Sequence, residues 1–243
     1  MRFPSPTTVR RRAIPRAFTL VELLVVVAVV GLLMALLLPA LVASVESARC
    51  TKCASNMRQI GMSIIQYCDL HDGAFPQTTH DADIDQAWIY KLASYMENVD
   101  SIRICPSDQR GGERLDAQMT SYVMNSYVTD GSLSETVLNR NRLNGLAHTI
   151  LSFELTDRAN REISEFDDHV HSYQWFTVSN EKKGLVLSTM MGELSLDRHF
   201  QSSHFLYADG HAVLIPMVTI GTWCTAPIEF VKPDQAPQYG GNE

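Results

Sequence analysis

No HExxH pair, no G-x-S-x-G elbow and no glycine-rich phosphate loop occurs in the 243 residues. The sequence signatures of zinc peptidases, serine hydrolases and nucleotide-cradling enzymes are therefore missing. Basic residues are also few: 20 Lys and Arg stand against 27 Asp and Glu, five of the arginines fall before position 17, and no basic run follows. Without those five the net charge moves from −7 to −12, which does not suit contacts to phosphates, so no nucleic-acid partner is expected. Five cysteines (Cys50, Cys53, Cys68, Cys105 and Cys224) include one CxxC and no second, so a two-knuckle zinc site has no signature. No internal repeat is present, and the only biased tract is the Pro-, Gln- and Gly-rich segment 233–243, which reads as a loose tail.

What the chain does have is an apolar run from Phe18 to Val45 broken by a single charge, Glu22. As an α-helix, Phe18 to Leu38 would span about 31 Å, close to the thickness of a hydrocarbon core. A carboxylate inside that run costs roughly 2.5–3.5 kcal/mol if left unpaired, so Glu22 asks for a partner. Residues 1–17 carry Arg2, Arg10, Arg11, Arg12 and Arg16 and no acid. That asymmetry keeps the N-terminus in the cytoplasm and places the rest of the chain outside.

Arg16-Ala17-Phe18-Thr19-Leu20-Val21-Glu22-Leu23-Leu24 resembles the processing site of type IV pilins and type II secretion pseudopilins. The resemblance implies cleavage by a prepilin peptidase between Ala17 and Phe18, N-methylation of Phe18, and an assembly role for Glu22. Most members have Gly where this chain has Ala17. A free ammonium at Phe18, on the same chain or on a neighbouring subunit, would supply the cation that a carboxylate in low dielectric requires. Further matches, from Arg49 to Pro76 (Cys53, Asn56, Gln59-Ile60-Gly61, Tyr67) and at Cys105-Pro106-Ser107-Asp108, are similar to a subgroup of pilin-like proteins abundant in planctomycete-type bacteria. His199, nine residues, then Asp209-Gly210 looks like that subgroup's H-X9-DG element.

Pro39 is expected to kink the helix or to mark its exit from lipid. Beyond it, Cys50, Cys53, Met57, Ile60, Ile64 and Tyr67 recur at spacings of three and four. This is the stripe of an amphipathic helix packed on a globular head, ending near Asp72-Gly73. A second helix is expected over residues 87–99 and strands over 121–128, 149–153 and 185–188. Phe205-Leu206-Tyr207 and Ala212-Val213-Leu214-Ile215 flank Asp209-Gly210, which predicts a β-hairpin with His199 packed or hydrogen-bonded near its turn. The rival reading is a metal or catalytic site drawn from Asp167, Asp168, His169, His171, His199, His204, Asp209 and His211, with His199, Asp209 and His211 its centre. Cys50 and Cys53 on one helix read as packing residues, while export would allow a disulfide among Cys68, Cys105 and Cys224.

The expected organisation is a leader (1–17), a transmembrane and assembly helix (18–45), its soluble continuation (46–76), a head (77–232) and a tail (233–243). The fold class is α+β, a long N-terminal helix packed on an antiparallel sheet. The resemblance implies a structural subunit of a pseudopilus or pilus in the cytoplasmic membrane. Its partners would be prepilin peptidase, other pilin-like subunits, the assembly platform and membrane lipid. No enzymatic activity and no cofactor are expected, apart from the structural calcium that some pseudopilin heads hold. The alternative is a membrane-anchored extracytoplasmic metal-binding protein or hydrolase.

Overall fold

The computed structural model describes residues 18–78, 87–131, 135–158, 168–237 and 239. The leader with Ala17, and Asp167 among the ligand candidates, lie outside the described residues. The chain divides into two compact units, Met1–Ser44 and Val45–Glu243.

In the first unit, helix α1 (Leu20–Leu70) begins at a capping box. Thr19 N–H donates to Glu22 Oε2 at 2.9 Å, the Thr19 hydroxyl donates to the same oxygen at 2.7 Å, and Glu22 N–H donates to Thr19 Oγ1 at 3.2 Å. The reciprocal bonds satisfy amides that a helix start leaves unpaired. Glu22 thus finds its partner within its own first turn. The helix continues through Pro39, which removes one backbone hydrogen bond without ending it. Apolar side chains from Leu20 to Val42 stand exposed, and the helix is long and apolar enough to cross a membrane.

In the second unit, α1 buries Cys53, Met57, Ile60 and Ile64 of the stripe that its spacing predicts, leaves Cys50 and Tyr67 half-buried, and buries Cys68 as well. The helix stops at Leu70, and Asp72 and Gly73 turn the chain with φ of 53° and 85°. Short helices α2 (Trp88–Lys91), α3 (Val99–Ile102) and α4 (Gly111–Asp116) follow. Next come β1 (Tyr122–Asn125), α5 (Ser126–Thr129), β2 (Ile150–Glu154) and β3 (His169–Val170). Helices α6 (Val178–Lys183) and α7 (Val186–Glu193), strands β4 (Ser202–Tyr207) and β5 (Ala212–Pro216), and α8 (Met217–Trp223) complete the fold. The sheet order is β3-β1-β2-β4-β5, antiparallel except for the β3–β1 edge. The α+β class read from the sequence is the class observed.

Alternation along the strands divides the core. Tyr122, Met124, Leu151 and Leu206 meet the α1 stripe. Val123, Ile150, Phe153, Phe205 and Ile215 pack with Trp175, Val186, Met190 and Ile220. Where helix meets hairpin the approach is close. A Cβ on Gly61 would lie 2.8 Å from Leu206 Cδ1 and 3.0 Å from Gly210 Cα. Gly210 itself has φ +90°, as the Asp-Gly turn requires.

Four local expectations are corrected. Residues 87–99 do not form one helix: Met96 is extended, and the Asn98 side chain accepts from Ser101 N–H to start α3 afresh. The strand over 121–128 stops at Asn125, whose side chain caps α5 and also donates to the Ile150 and Val231 carbonyls. Residues 185–188 open helix α7, since Val186 and Met190, four apart, both reach the core; a short apolar run does not separate helix from strand. The tail is tied down as far as residue 237. Asp234 accepts from the Gly145 and Asn144 amides at 2.7 and 3.2 Å, and Ala236 is buried.

Replacing Gly61 with Ala should lower unfolding free energy by about 1–3 kcal/mol through overpacking against the hairpin. Chemical denaturation of the full chain in detergent measures it, and an unchanged midpoint would contradict the close approach. Asp234 gives a pH prediction. Burial opposes its charge, but bonds from Gly145, Asn144 and Thr149 outweigh burial and hold its pKa below the usual value. Its contribution is therefore present above a carboxylate's ordinary pKa, about 3.9, and is lost as pH falls through the depressed value. Protection of the Gly145 amide, taken relative to its intrinsic exchange rate at each pH, should fall in acid in the wild type and be low already at neutral pH in Asp234→Ala.

Candidate metal centre

The upper face of α1 in the second unit carries Glu46, Cys50 and Cys53, spaced four and three apart and so on one side of the helix. Glu154 ends β2. Phe153 pairs with Phe205 of β4, which sets Glu154 beside His204. His199 precedes β4 at a two-residue turn, with His199 and Ser202 exchanging backbone hydrogen bonds at 2.9 Å. Phe200 and Gln201, the central residues, sit at φ 50° and 60°. Neither is glycine, so the turn that fixes His199 holds backbone strain.

These elements bring one ligand atom each from Cys53, Glu154, His199 and His204 within 4.8 Å of one another, all four residues buried. Glu154 Oε1 is the hub. It accepts from Cys53 Sγ at 2.7 Å and lies 3.0 Å from His199 Nε2 and 3.3 Å from His204 Nδ1. Its other oxygen is held by the Ser203 hydroxyl at 2.9 Å and the His204 amide at 3.3 Å. Each histidine also has a partner at its second nitrogen: Glu46 Oε1 at 3.4 Å from His199 Nδ1, and Cys50 Sγ at 3.9 Å from His204 Nε2. Cys105 Sγ lies 3.4 Å from His199 Nε2, and the Tyr122 hydroxyl 3.3 Å from Cys53 Sγ.

The electrostatics are those of a buried, charged site. Burial opposes ionisation of Glu154, but hydrogen bonds from His199 and His204 and the nearby Arg198 charge hold its pKa well below the ordinary value. Burial likewise opposes charging of His199, and contacts to Cys105 and Glu154 overcome it, lifting the pKa to about 10. The thiols are driven apart. Cys53 is pushed well up, chiefly by burial. Cys105 is lowered to about 6 by its hydrogen bond with Cys53, helped by His199 and Arg198. Arg198 is itself buried, donates to the Leu155 carbonyl at 2.5 Å and lies 3.8 Å from Asp108, whose other oxygen pairs with Arg114 at 2.8 Å.

A divalent ion fits this donor set. A thiolate and a carboxylate would neutralise it, and two imidazoles complete a tetrahedral N, S and O shell of the kind zinc takes. Histidine ligands characteristically hydrogen-bond through the other nitrogen, often to a carboxylate, as Glu46 does with His199. Calcium, which requires six or more oxygen ligands, does not fit. The expectations of no cofactor and of a head without chemistry of its own are both overturned by this cluster, which has the makeup of a metal-binding or catalytic site.

Of the described ligand candidates, the structure brings His199 and His204 to the cluster, and of the three at the centre of that reading only His199. Asp209 and His211 bond to each other at the far end of the hairpin, where His211 stacks on Tyr207 at 4.4 Å. His199 accordingly lies away from the Asp209-Gly210 turn. Asp168 and His169 pair at 2.8 Å beside His171 on the opposite edge of the sheet. No disulfide links Cys68, Cys105 or Cys224, and all five cysteines are free. Glu154, and Cys53 as a ligand, escaped the sequence reading. The available signal was a lone carboxylate closing the apolar strand Ile150-Leu151-Ser152-Phe153, since a buried acid must find donors.

With fold and site in view, the class is a pilin-like, membrane-anchored fold: one long apolar N-terminal helix packed against a mixed sheet. A family model, the prokaryotic N-terminal methylation motif, matches residues 15–38. No curated protein and no solved structure matches the chain.

Proposed function

We propose that this chain is a membrane-anchored protein whose extracytoplasmic head binds a divalent transition metal, with zinc the best match, through Cys53, Glu154, His199 and His204. The observation that carries this reading is the convergence of four buried donors from α1, β2, β4 and the turn before β4. A buried carboxylate costs several kcal/mol unless charge and hydrogen bonds surround it; His199 and Arg198 supply them here, and a divalent cation bound by the four donors would take over that role from the shared protons. Bound zinc would contribute Lewis acidity.

The full chain purified in detergent should contain about one zinc per chain by elemental analysis, as a closed four-donor site implies. His204→Ala and Glu154→Gln should each lose most of it. A wild-type chain that remains metal-free after zinc dialysis, or variants that keep the metal, would sink the reading.

The methylation motif supports a companion reading of the first unit. Prepilin peptidase would cleave between Ala17 and Phe18 and methylate Phe18. The protein would rest as a single-pass subunit of the cytoplasmic membrane and join other pilin-like subunits at an assembly platform. In this reading Glu22, satisfied by Thr19 in the isolated chain, exchanges that partner for a neighbour's terminal ammonium. Glu22→Ala should leave insertion and cleavage intact while abolishing co-purification with pilin-like partners; undiminished co-purification would refute the assembly role.

A further inference from the structure

We infer that Glu46 and Cys50 form the loading port of the metal centre, capturing a divalent cation from solvent and passing it to Cys53, Glu154, His199 and His204. This rests on the metal-binding reading above. The four donors are sealed: Cys53, Glu154 and His199 have no exposed surface and His204 has 2%. The polar side chains that touch them from other directions, Tyr122, Cys105 and Ser203, are buried as well. Among the described residues, the polar side chains that both touch the donors and reach solvent are Glu46 and Cys50.

Their chemistry and placement suit a relay. Glu46 and Cys50 stand one helical turn apart on α1, and Cys53 lies on the same face, three residues further on. Each meets the outer nitrogen of a histidine whose inner nitrogen faces Glu154: Glu46 through His199, Cys50 through His204. Glu46 Oε1 is oriented by the Ser107 hydroxyl at 2.7 Å, and the carboxylate is flanked at 3.9 Å by Arg49, which is half-exposed. A carboxylate and a thiol at the mouth of a sealed donor set attract a cation and give it intermediate ligands as it sheds water. The histidine rings are the wall between port and centre. A residue that only lowers the barrier changes loading and release by the same factor and leaves the equilibrium unchanged. A residue that only orients a ligand histidine does the opposite, weakening affinity.

Stopped-flow uptake of Co2+ by the full chain in detergent, stripped with a chelator, distinguishes these roles through the thiolate–cobalt absorption band. For Cys50→Ala we expect association slowed by about tenfold, within the range by which local charge alters on-rates, with release slowed equally and Kd unchanged; for Glu46→Gln, which also holds ligand His199, association should slow by the same factor while Kd weakens as well. A Kd weakened about 10–100-fold with unchanged association, the mark of an orienting residue, would overturn the port. Failure of the wild type to take up cobalt at all would remove the metal-binding reading as well. Full uptake at wild-type rates by both variants would leave the centre standing and reject the port alone.

Discussion

Glu154 has no exposed surface, yet its surroundings hold it ionised. An ion taken out of water costs several kcal/mol and must be repaid by charge and hydrogen bonds from fixed neighbours. Here the repayment comes from Cys53 of the long helix, His204 of the adjacent strand, His199 of a strained turn and Arg198 beside it. These groups come from segments up to about a hundred positions away in the chain. The carboxylate therefore welds helix, sheet centre and turn, and a metal ion in place of the shared protons would tighten the same weld.

The two units answer to different solvents. Up to Ser44 the chain exposes apolar side chains along a helix that would be insoluble as a free surface in water, and its one acid is absorbed by a capping box. From Val45 onward the same helix buries only one stripe. Its other faces are polar, and the stripe changes character along its length. Met57, Ile60 and Ile64 pack as hydrocarbon, while Glu46, Cys50 and Cys53 turn toward ionisable partners. One continuous element thus serves as membrane segment, site wall and core in succession.

The methylation motif and the Cys53, Glu154, His199 and His204 cluster occupy separate parts of the chain and call for separate physics. The motif is a local pattern that an enzyme would read as sequence. The cluster exists only when β2, β4 and α1 are packed. Nothing in the first requires the second, which is why a pilin-like anchor and a head with its own chemistry are compatible.

The long apolar helix with its single carboxylate, the amphipathic stripe and the Asp209-Gly210 hairpin were legible because each is written in neighbouring residues at a helical or strand period; that Thr19 would cap the helix with Glu22 was not read. Short apolar runs were not: residues 185–188 became helix α7 because Val186 and Met190 found the core, a choice made by packing and not by local preference. His199 and His204 were recognisable as ligand types, but their partners were not. His211 and Asp209 are closer to His204 in sequence than Cys53 and Glu154 are, yet the hairpin carries them to its far end. Strand pairing of Phe153 with Phe205 and the close passage of α1 over the sheet at Gly61 and Gly210 decided which acid and which thiol would meet the histidines. Sequence by itself determined the elements that hydrophobic periodicity and local hydrogen bonding specify. Tertiary structure alone decided the site, because a buried charge is stabilised by groups close in space, and their separation along the chain carries no trace of that distance.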